Sequence, residues 1–367
     1  MSKHIIYTGD IIKVLKNLQD GSVDLAITSP PYFGLRSYTS DNKLKTYEIG
    51  LEPHPKIYID RMIKIIKEVM RVLKDTGQFF LNIGDSYATA SGEGAQDRLD
   101  LEFNKTLEIG HRTKIRRKLN KSGENWLKTK QKLLIPHRIA IRVQDELGYW
   151  IRDDIIWAKK VTLYPEQKTI GTCIPFPVKD RLASSHEYIF QIVKNPKYFA
   201  DLEPVKCELK RNTPTRAQCD LGKTYEIQDK RNPHTEQKKG IDNKKLQNGK
   251  VVLGFNWNIE IKNKLENANP TNVIMFKRNN RSAIEECHFA TFPKALPEFF
   301  IKWASKPMDT ILDPFAGTGT TNIVAEELGR NSIGIELNPK YVEIIKKRFE
   351  PYLKQSKLNG KTELIIK

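Results

Sequence analysis

Residues 310–336 constrain the fold of this chain more than any other stretch. Thr310–Asp313 reads as a short strand, and Asp313-Pro314-Phe315-Ala316-Gly317-Thr318-Gly319-Thr320-Thr321 turns tightly out of it. Thr321–Leu328 has helical spacing, and Ser332–Glu336 reads as a second strand that ends on a carboxylate. Strand, glycine turn, helix and strand in this order form the repeating unit of a parallel α/β sheet. Gly317 and Gly319 allow the backbone to turn sharply and to approach a ligand where a Cβ would collide. The amino end of the helix offers unpaired N–H groups to an anionic group. Glu336 lies 23 residues after Asp313, a spacing that suits a carboxylate accepting bonds from ribose hydroxyls. A dinucleotide site would require G-x-G-x-x-G and a triphosphate loop Gly-Lys-Ser/Thr, and this segment has neither.

The rest of the chain repeats the alternation. His4–Thr8 reads as a strand, and after Gly9-Asp10 a helix runs through Leu18 with Ile11, Ile12, Val14, Leu15 and Leu18 at helical spacing. Val23–Thr28 is a continuous apolar strand leading into Ser29-Pro30-Pro31-Tyr32, where two prolines forbid both helix and ladder pairing. A helix from about Ile57 to Leu73 closes at Asp75-Thr76-Gly77, and the strand Gln78–Ile83 ends at Gly84-Asp85. The pattern resumes with Ile135–Leu147, Trp150–Lys159 and His186–Val193, and a last helix covers Tyr341–Phe349. The expected fold is α/β with a mostly parallel sheet.

Two stretches interrupt it. Between Lys105 and Lys132 there are ten Lys or Arg against Glu108 and Glu124, and Pro204 to Asn269 is again polar and basic. The chain carries a net charge of +18, which attracts polyanions, phosphate backbones above all. Cys173, Cys207, Cys219 and Cys287 are scattered with no C-x-x-C pair, so no metal is expected. No apolar run reaches the roughly 18 residues that a membrane helix needs, and Met1–Ile5 leads directly into a strand. A cytoplasmic, prokaryotic protein without a membrane partner is expected.

The loop at 313–321 resembles the D-P-F-x-G-x-G-T-T motif of the amino-group DNA methyltransferases, and Ser29–Tyr32 resembles their [D/N/S]-P-P-[Y/F/W] motif. The resemblance implies a Rossmann-like, S-adenosylmethionine-dependent fold and a double-stranded DNA substrate. It implies that Asp313, Pro314, Phe315, Ala316, Gly317, Gly319 and Thr320 hold the methionine part of the cofactor and Glu336 its ribose. Asp10, followed by Ile11, would meet the adenine ring, and Thr291-Phe292-Pro293 lies in the segment that packs over the cofactor. Asp10 also reads as a helix N-cap, and the two roles are compatible. Because the glycine loop follows the proline loop, the chain resembles the permuted, β-class arrangement of that fold.

The catalytic set implied is Ser29, Pro30, Pro31 and Tyr32. An exocyclic amine is a poor nucleophile because its lone pair is delocalised into the ring. Acceptors at the Ser29 side chain and the Pro30 carbonyl can bond both amine hydrogens and aim the lone pair at the methyl group, and the prolines preorganise them. Tyr32 offers a ring face to a base flipped out of the duplex. Trp157 reads as core or as a wall of the base pocket. Within the family, Ser at position 29 points to cytosine N4, with adenine N6 as the alternative. A DNA-binding protein that holds the cofactor without catalysis is a third reading, against which the intact Ser29–Tyr32 loop speaks. Protein-glutamine and some RNA methyltransferases carry Asn-Pro-Pro-Tyr after the cofactor loop, unlike this chain.

The expected organisation is a catalytic core of 1–87, 133–204 and 270–367, a basic DNA-contacting insertion at 88–132, and a target-recognition region at 205–269. Lys114, Arg116, Arg117 and Lys118 are expected to grip the DNA backbone. A cognate restriction endonuclease and a homodimer are partners that only the resemblance implies.

Overall fold

The computed structural model describes residues 2–35, 37–39, 41–88, 127–128, 130–171, 179–208, 244–247, 250–253, 267–277, 292–359 and 362–367. Two compact units emerge, Met1–Val205 with Thr271–Lys367, and Lys206–Pro270. In the smaller unit, Lys244–Gln247 pairs with Lys250–Leu253 and Cys207–Glu208 with Asn267–Ala268, both antiparallel.

The larger unit is built on a nine-stranded sheet of β1 (Ser2–Thr8), β2 (Val23–Thr28), β3 (Leu73–Ile83), β4 (Trp150–Ala158), β5 (His186–Val193), β6 (Val273–Ile274), β7 (Thr310–Asp313), β8 (Asn331–Glu336) and β9 (Thr362–Ile366). Their order across the sheet is β6-β4-β5-β3-β2-β7-β8-β1-β9. Every neighbouring pair is parallel except the two made by β5, which runs against β3 and β4. The helices are α1 (Ile11–Lys16), α2 (Asn42–Lys45), α3 (Pro55–Val72), α4 (Ile135–Leu147), α5 (Ala295–Ala304), α6 (Thr320–Glu327) and α7 (Pro339–Asn359). No described helix is long and apolar enough to cross a membrane.

Alternating side chains of the central strands feed cores on opposite faces, as the period of two dictates. Ala26, Phe79, Leu81 and Ile83 pack with α1, α3 and α4, whereas Leu25, Ile27 and Phe80 pack with α5 and α6. A third cluster joins Ile6 of β1 to Ile323 of α6 and Val342, Ile345 and Phe349 of α7. The start of α3 is set locally, since Pro55 occupies its first turn and His54 accepts from the Lys56 amide at 3.1 Å.

Four elements differ from the sequence reading. Asp75-Thr76-Gly77, read as a turn, lies within β3, and a Cβ on Gly77 would stand 2.7 Å from the Asp24 carbonyl oxygen. Glycine thus admits the close approach of β3 to β2, where the register shifts between Val23 and Leu25. Helix α7 continues past Phe349 with Pro351 inside it, because Tyr352 and Leu353 extend its apolar face over Leu364 and Ile366. The short edge strands β6 and β9 carry no alternation to announce them.

Phe80 is fully buried and stacks on Phe300 with ring centroids 4.3 Å apart. Phe80→Ala is expected to cost about 3–5 kcal/mol of unfolding free energy in denaturant titration. A loss below about 1 kcal/mol would show that the core under α5 does not rest on this pair.

Candidate active site

β2 and β7 lie side by side and parallel, yet the sheet continues from β2 to β3 on one side and from β7 to β8 on the other. The loops after these strands therefore leave in opposite directions, and a crevice opens between them at the carboxyl edge of the sheet. Asp313, at the end of β7, ties the two together. Its Oδ1 accepts from Thr28 Oγ1 at 2.7 Å and from the Phe315 amide at 3.1 Å, and its Oδ2 accepts from Thr321 Oγ1 at 2.6 Å. Burial pushes its carboxyl up to about 6, against the pull of these three donors.

The crevice holds a cavity of about 300 Å³. All four residues of Ser29–Tyr32 line it, as do Asp10 and Ile11 on the opposite wall. Phe315, Ala316, Gly317, Thr320 and Glu336 belong to that wall, and Phe292 lines the cavity too. Pro293, Asp313, Pro314 and Gly319 do not line it. Thr291 lies outside the described residues, as do Lys114, Arg116, Arg117 and Lys118.

The two glycines of the loop do different work. Gly317 has φ +53°, and a Cβ there would meet only open space apart from one carbonyl at 4.0 Å. Gly319 has φ +76°, and a Cβ there would stand 2.9 Å from Ile345 of α7, so its bareness serves packing behind the loop. From the same side Arg348 donates to the Thr318 carbonyl at 2.7 Å and to Thr320 Oγ1 at 3.1 Å, clamping the loop against α7.

Glu336 stands beside Gly9, whose amide donates to the Glu336 carbonyl at 2.9 Å, because β1 and β8 run in register. That places Asp10 next to Glu336 on one wall. Asp10 caps α1, accepting from the Lys13 amide at 2.9 Å, and still reaches the cavity. The Glu336 carboxylate accepts from the amides of Asn338 and Gly317, each at 2.8 Å. Loss of water around it pushes its carboxyl up to about 7, although both amides pull the other way.

On the facing wall the Tyr58 hydroxyl donates to the Pro31 carbonyl at 3.0 Å and fixes the proline loop from beneath. Tyr32 lies over Gly84, where a Cβ would come within 2.6 Å of its ring. Its hydroxyl donates to Glu187 Oε2 at 2.7 Å and stands 3.2 Å from Ser29 Oγ. Burial, and then the charge of Glu187, hold the Tyr32 phenol well above its ordinary value, so it stays a donor. Asn82 joins the group, donating to Ser29 Oγ at 3.1 Å and to Tyr32 Oη and Glu187 Oε2 at 3.0 Å. Trp157 is both core and cavity wall.

Residues 23–347 match the N6_N4_Mtase family model, described as DNA methylase. The chain belongs to this family. It is an S-adenosylmethionine-dependent DNA methyltransferase of the amino-group type, with the permuted Rossmann-like fold. It is similar to the type II methyltransferase M.SmaI of Serratia marcescens, 32% identical over 94% of this chain and 89% of that protein. The type II methyltransferase M.Cfr9I of Citrobacter freundii is 31% identical over 94% of this chain and 87% of its own length. Among solved structures, the PvuII DNA methyltransferase (cytosine-N4-specific) shares the fold with a TM-score of 0.56 at 20% identity, covering 100% of this chain and 95% of that one.

Within this methyltransferase fold, the cavity also takes Asn82, Lys159 and Glu187, which the motifs do not announce. Asn82 comes from the end of β3, Glu187 from the start of β5, and Lys159 directly follows β4. A polar residue in the buried run Gln78–Ile83 was the available signal for Asn82. Pointing it at Ser29 required the pairing of β3 with β2.

Folded Glu336 holds its proton up to about 7, against an ordinary value of 4.5, and folded Asp313 up to about 6 against 3.8. Between the ordinary and raised values these two carboxyls bind more protons in the folded chain than in the unfolded one, so the stability they contribute falls as pH rises through that window. Denaturant titrations across it are expected to show this fall, and Glu336→Gln to flatten its upper part. A variant that keeps the full slope would place its source elsewhere.

Proposed function

We propose that this chain methylates the exocyclic N4 of a cytosine flipped out of double-stranded DNA. The observation that carries the reading is that Ser29–Tyr32 and the Gly317–Glu336 wall face each other across one cavity. When bound, S-adenosylmethionine supplies an electrophilic methyl group on a positively charged sulfur. The residues fit such a cofactor. Glu336 offers a carboxylate to ribose hydroxyls, Asp10 a polar edge, and Ile11, Phe292 and Phe315 apolar surface to a purine. Segment 291–293 and loop 313–320 are assigned to the same cofactor, with Asp313, Pro314 and Gly319 holding the loop's shape.

Ser29 Oγ and the Pro30 carbonyl accept the two amine hydrogens and turn the nitrogen lone pair toward the methyl group. Bound S-adenosylmethionine would supply its methyl group to that lone pair, and the proton the amine gives up would pass to solvent. Pro30 and Pro31 keep the acceptors in place, and Tyr32 supports the base with its ring. Cytosine is favoured over adenine N6 by the serine at position 29. Likeness to type II methyltransferases supports a role beside a cognate restriction endonuclease. We assign backbone grip to 88–132 and target reading to 205–269.

The test is transfer of label from S-adenosylmethionine to DNA, followed by nucleoside mass spectrometry. Label is expected in N4-methylcytosine, and Ser29→Ala is expected to lower kcat by about 10²–10³-fold. Label in N6-methyladenine would overturn the base assignment and leave the reaction type standing.

Replacing Lys114, Arg116, Arg117 and Lys118 together with alanine is expected to weaken binding to all sequences alike. The slope of log affinity against log salt should shrink by up to about 3–4. A change confined to site preference would refute the assignment of this stretch to backbone grip.

A further inference from the structure

A pocket that selects one amine-bearing base has to do more than accept the amine hydrogens. In both cytosine and adenine a ring nitrogen with a free lone pair adjoins the carbon that carries the amine. A buried acceptor left without a donor costs much of the binding free energy. Some group at the catalytic end of the cavity therefore has to donate to that nitrogen.

Few donors stand there. The two N–H bonds of the Asn82 amide are shared among Ser29 Oγ, Tyr32 Oη and Glu187 Oε2, and the Tyr32 hydroxyl donates to Glu187. The Lys159 ammonium has three N–H bonds, and among the residues that line this end it is the remaining cation. Its backbone is pinned where β4 ends, the Lys159 amide donating to the Ser185 carbonyl at 2.7 Å. Its Nζ sits 4.6 Å from the centre of the Trp157 ring and pairs with Glu187 Oε1. A ring on one side and a carboxylate on the other hold the ammonium at the rim of the cavity, its side chain 35% exposed. Glu187 thus divides its oxygens, Oε2 to Tyr32 and Asn82, Oε1 to Lys159.

We propose that Lys159 donates to the ring nitrogen adjoining the target amine, and that Glu187 is the positioning residue that aims it. The inference rests on the methyl-transfer reading above. It adds a specificity element: a base that presents a protonated ring nitrogen at that place, as thymine does, meets an ammonium and is rejected.

The experiment locates the modified base in DNA from a host expressing the full chain, then uses synthetic duplexes with that site. One duplex carries the natural base, and the other an analogue with C–H in place of the ring nitrogen (3-deazacytosine, or 1-deazaadenine if adenine is modified). The altered amine reactivity of the analogue is common to all enzymes compared and cancels in the ratio. The natural-to-analogue ratio of kcat/KM is expected to be about 10–100-fold larger for the unaltered chain than for Lys159→Met. Lys159→Arg should restore part of it, and Glu187→Gln should reduce it. A Lys159→Met variant that folds normally, loses activity and keeps the full ratio would overturn the inference alone. No transfer by the unaltered chain to either base would overturn the functional reading and this inference with it.

Discussion

The carboxylate of Asp313 is the point on which the rest of the site depends. It is buried, with 1% of its surface exposed, and accepts three hydrogen bonds, from Thr28, Thr321 and the Phe315 amide. Thr28 ends the strand that leads into the proline loop, and Thr321 opens the helix behind the glycine loop. One side chain therefore sets the spacing between the two walls of the crevice. A buried acceptor with its donors in place is rigid in a way that apolar contact alone is not, because losing any donor leaves a polar atom stranded.

The two walls handle buried charge differently. On the glycine-loop side, Glu336 is enclosed by backbone amides and its carboxyl rises to about 7. On the proline-loop side, Glu187 meets a hydroxyl, an amide and an ammonium. The first arrangement leaves a carboxylate that gains from meeting ligand hydroxyls. The second makes a fixed polar frame in which neighbouring groups are held rather than left to seek partners.

Much of this was legible in the sequence because it was local. The runs 23–28, 135–147 and 186–193 carried their own apolar patterns, and the two loops carried glycine and proline where the backbone needed them. Asn82, Lys159 and Glu187 were not legible as pocket residues, since their meeting depends on β5 running against its neighbours. A reversed strand presents its beginning at the edge where parallel strands present their ends, and nothing within His186–Val193 states its direction. Gly319 shows the converse: its place in the loop suggests a ligand, and the fold adds a reason that no local pattern carries, since a Cβ there would meet Ile345.

The closure of the crevice also has a bearing on time. Thr28 and Asp313 are separated by 285 positions, and the buried contact of His4 with Ser332 by 328. Contacts of such range form late, because a long loop must close before they repay its entropy. A ribosome delivers the proline loop well before the glycine loop. During that interval β2 lacks one of its two neighbours, and the crevice has a single wall. Until β7 and then β8 have paired, the chain has no Glu336 wall, and the cavity that both loops line is not yet built.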